Sequence, residues 1–235
     1  MKRFYKEVSI EAVETGFGIA LDGRALRTPA KTAVVLPSSS LAAAVASEWE
    51  EAGDEVKPDE MPFFSLSVTV IDRVMTQQDT LRKELCDYAG NDVLHYRAGE
   101  EDSALNSRQN ELWSPWVSWA AEKFTAKIAV TEGLMPTCQP ETLLQGAAMQ
   151  LASLSDWNLG ALYRAVTLSG SFILGLAFFE REIDAKTLFR FAFLEELHQN
   201  EKWGRDSEAE ARQKQIQQEL SDLERFMVML QGQQN

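Results

Sequence analysis

"FGIALDGRALRTPAKTAVVLPSSSLAAAVASEWEEAG", Phe17 to Gly53, changes character once, and that change decides the fold class. As far as Pro37 it reads as strand. Asp22-Gly23 lies between short apolar runs, and glycine accepts the positive φ that a tight hairpin turn requires. "KTAVVLP" is a further β-branched run, closed by Pro37. "FYKEVSIEAV", just upstream, mixes aromatic and β-branched residues with charges and adds one more strand. After Pro37 the period becomes helical. The serines from Ser38 offer an N-cap and Gly53 a stop, while Leu41, Val45, Glu48, Trp49 and Ala52 share one face. The polar segment from Asp54 to Pro62, with Pro58 inside it, reads as a linker.

Beyond the linker the chain is mainly helical. "FFSLSVTVIDRVM", "TQQDTLRKELCDYAG", "DSALNSRQNELWSPWVSWAAEKF" and "PETLLQGAAMQLASL" each carry helical spacing, and Pro115 should kink the third or mark its start. "NLGALYRAVTLSGSFILGLAFFERE" is apolar almost all round, which predicts one buried central helix. "DAKTLFRFAFLEELHQNEKWG" and "DSEAEARQKQIQQELSDLERFMVML" complete a bundle. The exception is Ala126–Gly133, "AKIAVTEG", which predicts a lone strand able to return to the N-terminal sheet. The expected fold is α+β. A small N-terminal β-rich domain with one helix, residues 1–60, precedes a larger all-α helical domain, residues 61–235.

Composition narrows the function. The 235 residues are 45% hydrophobic, so a core can form without metal or disulfide staples. There are 23 basic and 36 acidic residues, a formal net charge of -13, and no cluster of Lys and Arg; such a chain repels nucleic acid. Cys86 and Cys138 stand alone, which suits free thiols in a reducing compartment. The start, "MKRFYKEVSI", has no apolar signal core, and the uncharged run from Ala165 to Phe179 is shorter than the ~20 residues that span a bilayer. The expectation is a soluble protein without membrane insertion. It would work in a bacterial cytoplasm, or in the mitochondrial matrix as a processed form.

Few residues suggest chemistry. Glu195 and His198 form E-x-x-H, and Asp92 and His95 offer a second pair, so a carboxylate/His metal site is one reading. Solvated polar residues at a helix end are the other. Ser169 in "TLSGS" lacks the flanking glycines of a nucleophile elbow, and no Gly-rich phosphate loop is present. Two features stand out: Trp49 on a glutamate-dense helix, and the Trp203-Gly204 helix stop. Each Trp could anchor a partner or pack domains together.

An ordered set of motifs decides between these readings. "RFYKEV", "LDGRALRTPAK", "EWEEAG", "YAGNDVLHYRA", "VTEGLMP", "VTLSGS" and "EKWGRD" resemble the assembly chaperones that bind the free alpha subunit of the F-type ATP synthase catalytic head. The resemblance runs from about Arg3 to Phe226. It implies a β-rich domain followed by a helical one, no enzyme activity and no cofactor. It implies a chain that keeps the alpha subunit soluble until the beta subunit replaces it; when free, the chain is expected to be monomeric. Carried onto this chain, the family's signature falls on Glu195, Glu196, Gln199, Trp203 and Gly204, with Asp206 at the acidic position beyond and Trp49 in the first helix. His198 and Asn200 depart from the pattern, where an aromatic residue and an isoleucine are usual. The expected partner surface is Trp49, Glu195, Glu196, Gln199, Glu201, Trp203, Gly204 and Asp206, its carboxylates meeting client Arg or Lys.

Overall fold

The computed structural model describes residues 2–133, 135, 137–204 and 207–231. Its chain divides into two compact units. The first is Met1–Gln78, Ser155–Ala161 and Asp222–Asn235; the second is Asp79–Leu154 and Leu162–Ser221.

In the first unit, β1 (Val8–Val13) and β2 (Gly16–Leu21) form an antiparallel hairpin, and β3 (Arg24–Ala25) folds back on β2. The Asp22-Gly23 turn between β2 and β3 has φ of 48° and 73°, the doubly positive geometry that matches strand twist. Asp22 also accepts the backbone N–H groups of Lys6 and Glu7 at 3.0 and 2.9 Å, which fixes the entry to β1. β4 (Val35–Leu36) pairs with the start of β2. Helix α1 (Ser39–Glu51) packs on this sheet through Leu41, Ala42, Val45, Ala46 and Trp49. Ser38 caps it, accepting the Leu41 N–H at 3.1 Å.

The sequence boundary at 60/61 falls inside this unit. Helix α2 (Pro62–Thr69) continues into a π-turn, Val70–Val74, and both belong to the first unit. The physical reason is aromatic. Phe64 lies edge-on to Trp49, with centroids 5.1 Å apart, and Tyr5 packs Trp49 at 5.5 Å. Glu48 then holds the start of α2, accepting the N–H groups of Phe63 and Phe64 at 2.7 and 2.8 Å. A proline-bearing linker marks a change of element, not a change of core.

Burial raises the Glu48 carboxyl to about 7, against the lowering effect of those two N–H bonds. A carboxyl raised in the folded state binds more protons there than in the unfolded chain. Its contribution to stability is therefore full below the unfolded value near 4.5 and lost as pH rises through about 7. Relative to the parent chain, Glu48→Gln should gain stability steadily across that window. Paired urea titrations at several pH values read this; a pH-independent difference would contradict it.

The second unit is helical. It holds α3 (Gln78–Gly90), which begins at the unit boundary, then α4 (Ser103–Lys123) and α5 (Glu141–Ala152). The later part of α6 (Asp156–Ser169), α7 (Phe172–Phe179), α8 (Ala185–Ala192), α9 (Leu194–Trp203) and α10 (Ser207–Leu230) as far as Ser221 complete it. α4 runs unbroken through Pro115. The predicted single central helix is two, α6 and α7. Gly170 takes φ 69°, which ends α6, and Ser171 recaps the chain by accepting the Leu174 N–H at 3.0 Å. Seven consecutive residues of α7, Phe172 to Phe178, are buried, so the apolar run does form the core. The helix expected from Asp184 onward also splits, at Phe193, whose φ and ψ of -102° and 20° leave the helical range.

Asp92 is the hub of this core. Its buried carboxylate takes the Ser171 hydroxyl at 2.8 Å, the Ile173 N–H at 2.8 Å and the Leu94 N–H at 2.9 Å. It thus satisfies the start of α7 and the short turn Val93–His95 together. Asp92→Ala leaves those donors buried and unpaired, and should cost on the order of 3 kcal/mol. Asp92→Asn should recover part of that in denaturant midpoints, and equal losses for both variants would contradict the hydrogen-bonding role.

Ala126–Gly133 does not return to the N-terminal sheet. β6 (Thr131–Glu132) pairs in parallel with β5 (Tyr96–Arg97), inside the second unit. Gly133 donates to the Arg97 carbonyl at 2.9 Å, and Asn106 reaches Glu132 at 3.4 Å. The partner edge is two residues long, too short to announce itself in the sequence. Among the described residues, no helix is long and apolar enough to cross a membrane.

Candidate functional site

Helix α9 is the opening of the signature segment, and its register decides what each residue does. Leu194 and His198, one turn apart, face inward. His198 Nε2 lies 3.3 Å from the Asp102 carboxylate, which also takes Lys202 Nζ at 2.6 Å and caps α4 through the Leu105 N–H. The hydrogen bond from Lys202, then that from Leu105, holds Asp102 below the usual carboxylate range.

The glutamates expected to reach outward are instead braced within the chain. Glu195 accepts from buried Gln109 of α4 at 2.7 Å. Glu196 accepts from Gln213 of α10 at 2.7 Å and meets Arg212 at 3.4 Å. Glu201 pairs with Arg108 of α4 at 2.6 Å. Each is a strut between α9 and a neighbouring helix, which fixes the surface that α9 presents.

That surface ends in an exposed aromatic. Trp203 is 83% exposed, and Gln199 is exposed on the same helix. Gly204, at φ 88°, stops the helix, its N–H donating to the Asn200 carbonyl at 3.1 Å. Asp206 lies outside the described residues. Trp49 is corrected as a surface contact. It is 4% exposed and belongs to the core of the first unit, with the Tyr5 hydroxyl donating to its carbonyl at 2.6 Å. A glutamate-dense helix hid this, because Glu50 and Glu51 are exposed while Glu48 serves α2.

The metal reading has no matching geometry. Glu195 and His198 turn to different partners on or just before α4, while Asp92 is spent on Ser171 and backbone donors. His95 is fully buried; burial, then the nearby Arg97 charge, pushes its imidazole down to about 4. Among the described residues, no group of three His, Cys, Asp or Glu could hold an ion.

Sequence reasoning missed the cleft beside α9. It measures about 830 Å³ and lies among α4, α8, α9 and α10. Leu112, Leu194 and Leu197 are its apolar lining; Arg108, Glu111, Arg190, Glu201, Glu210 and Lys214 are its charged residues. The sequence holds a partial signal, leucines at helical spacing in α9, but α4 and α10 reach the site only through the tertiary fold.

The braced helix α9 thus ends in an exposed aromatic, and a cleft of mixed apolar and charged lining runs beside it. Comparison with known proteins gives the class, a chaperone. Atp12 from Paracoccus denitrificans is 39% identical with a TM-score of 0.91, covering 97% of this chain and 98% of that one. An aspartate-to-lysine mutant of the same protein aligns at 38% identity and TM-score 0.91, with 97% of each chain covered. The mitochondrial ATP12 protein of Saccharomyces cerevisiae is 27% identical over 247 residues, spanning 86% of this chain and 76% of that protein. Residues 2–121 match the family described as ATP12 chaperone protein. The chain belongs to the ATP12 family, the F-type ATP synthase assembly chaperones that its motifs resemble.

Proposed function

We propose that the chain binds the unassembled alpha subunit of the F-type ATP synthase, covers its apolar subunit interface, and yields it to the beta subunit without turning over any substrate. Subunits of a ring expose apolar faces before closure, and such faces aggregate. A protein that covers one with modest affinity is displaced when the true neighbour arrives. The observation that carries this reading is Trp203, 83% exposed at the stop of the braced signature helix. A large apolar side chain left in water is costly to keep unless something covers it, and tryptophan is enriched at binding hot spots.

In this reading Trp203 and Gln199 contact the client. Glu195, Glu196 and Glu201 serve mainly to hold α9 in place, and Gly204 sets where the helix ends. Charge reversal at Glu196 breaks the strut to Gln213 and sets a second cation against Arg212, but that pair lies at the exposed surface, so the chain should stay folded. Refolding the alpha subunit in the presence of the chain, with turbidity as the readout, tests the proposal. Protection by the parent chain and its loss on Trp203→Ala support it; aggregation unaffected by the parent chain ends it.

A further inference from the structure

The cleft beside α9 carries charge that the chain itself does not use. Arg108 is committed to Glu201, and Glu210 is engaged within the chain. Arg190 and Lys214 are exposed and make no ion pair with the described residues; the Arg190 guanidinium lies 5.0 Å from the Phe191 ring centroid instead. With Glu201 paired to Arg108 and Glu210 engaged within the chain, the cleft's lining leaves Arg190 and Lys214 uncommitted, with Glu111 the remaining carboxylate. The chain around them has a net charge of -13. Leu112, Leu194 and Leu197 line the same cleft.

From this juxtaposition we infer that the cleft receives a short segment of the client carrying at least two apolar side chains flanked by Asp or Glu. The inference rests on the reading that the protein holds an unassembled subunit, and names the chemistry of the segment held. The leucines supply an apolar seat of the helix-in-groove kind. Arg190 and Lys214 supply charge complementarity, which governs register and selectivity more than affinity. The chain as a whole repels an acidic segment, whereas Arg190 and Lys214 offer it cations without internal ion pairs here, so the cleft discriminates by position as well as by contact.

The test uses the full chain and two labelled synthetic peptides with identical leucine positions, one flanked by glutamate and one by lysine. Fluorescence anisotropy at low ionic strength reads binding. The glutamate peptide should bind more tightly, and Arg190→Glu/Lys214→Glu should weaken it about tenfold or more. Raising salt through the range where exposed charges are screened should weaken it as well. A preference for the lysine peptide, or no effect of the double variant, overturns the inference. Arg190→Gln/Lys214→Gln gives a milder version should the reversal disturb folding. Leu197→Asp, which spoils the apolar seat, should abolish binding of the glutamate peptide, and its failure to do so also counts against the cleft.

The same variants in the alpha-subunit turbidity assay separate this inference from the function proposed above. Protection by the parent chain but not by the charge-reversed variant supports both. Protection by both chains overturns the cleft and leaves the function standing. No protection by the parent chain, with the peptide preference intact, ends the alpha-subunit reading and keeps the cleft chemistry for another client. A dimer in sedimentation that Arg190→Glu dissolves would seat a second copy there and overturn the inference.

Discussion

Trp49→Arg is expected to abolish the fold of the first unit. The indole is 4% exposed, between Tyr5 at 5.5 Å and Phe64 at 5.1 Å. Removing it forfeits aromatic packing worth about 3–5 kcal/mol. Placing an unpaired guanidinium there adds several kcal/mol, because burial strips the charge of water. The sum is comparable with the roughly 5–15 kcal/mol that holds a whole domain together. The loss should spread through α2, whose Phe64 rests on Trp49 and whose first N–H groups rest on Glu48, one residue before it. Circular dichroism should show lost ellipticity, and limited proteolysis should cut the first unit preferentially. Trp49→Phe, which keeps an apolar ring, should fold with a lowered melting temperature. A Trp49→Arg chain that melts like the parent would contradict the placement of Trp49 in the core.

Trp203→Ala should do the opposite. The side chain is 83% exposed, so stability should change by no more than about 0.5 kcal/mol. Client binding should nevertheless fall by more than tenfold, since a central tryptophan anchor is worth about 2 kcal/mol or more. The two tryptophans therefore separate folding from function. One change should remove the fold; the other should leave it intact and, on the proposed function, idle. Matched denaturation curves and alpha-subunit binding isotherms for the two variants check this, and a Trp203→Ala chain with full affinity would remove that residue from the contact surface.

The strand-to-helix change across Phe17–Gly53 was legible because it rests on local chemistry: a turn that requires positive φ, a serine cap, a helical period. The breaks at Gly170 and Phe193 were not, since both interrupt continuous apolar periodicity. Gly170 is one of several small residues there, and nothing in composition separates it from Gly175, which packs against Val166. The pairing of β6 with β5 and the assignment of α2 to the first unit depend on contacts between distant residues, which periodicity cannot carry.

The site shows the same division. The motif order in the sequence led to α9 and to Trp203, but it did not reveal which carboxylates were free. Glu195, Glu196 and Glu201 look alike in a charged run. The fold gives each an internal partner, and turns Trp49 inward while leaving Trp203 in water. The cleft needed four helices, α4, α8, α9 and α10, to exist at all.

The most direct measurement is refolding of the purified alpha subunit with and without the full chain, followed by addition of the beta subunit. The account predicts a soluble complex of the two on size exclusion, and release of the chain when the beta subunit is added. An alpha subunit that precipitates at the same rate with the chain present, or a complex that the beta subunit cannot dissolve, would contradict it.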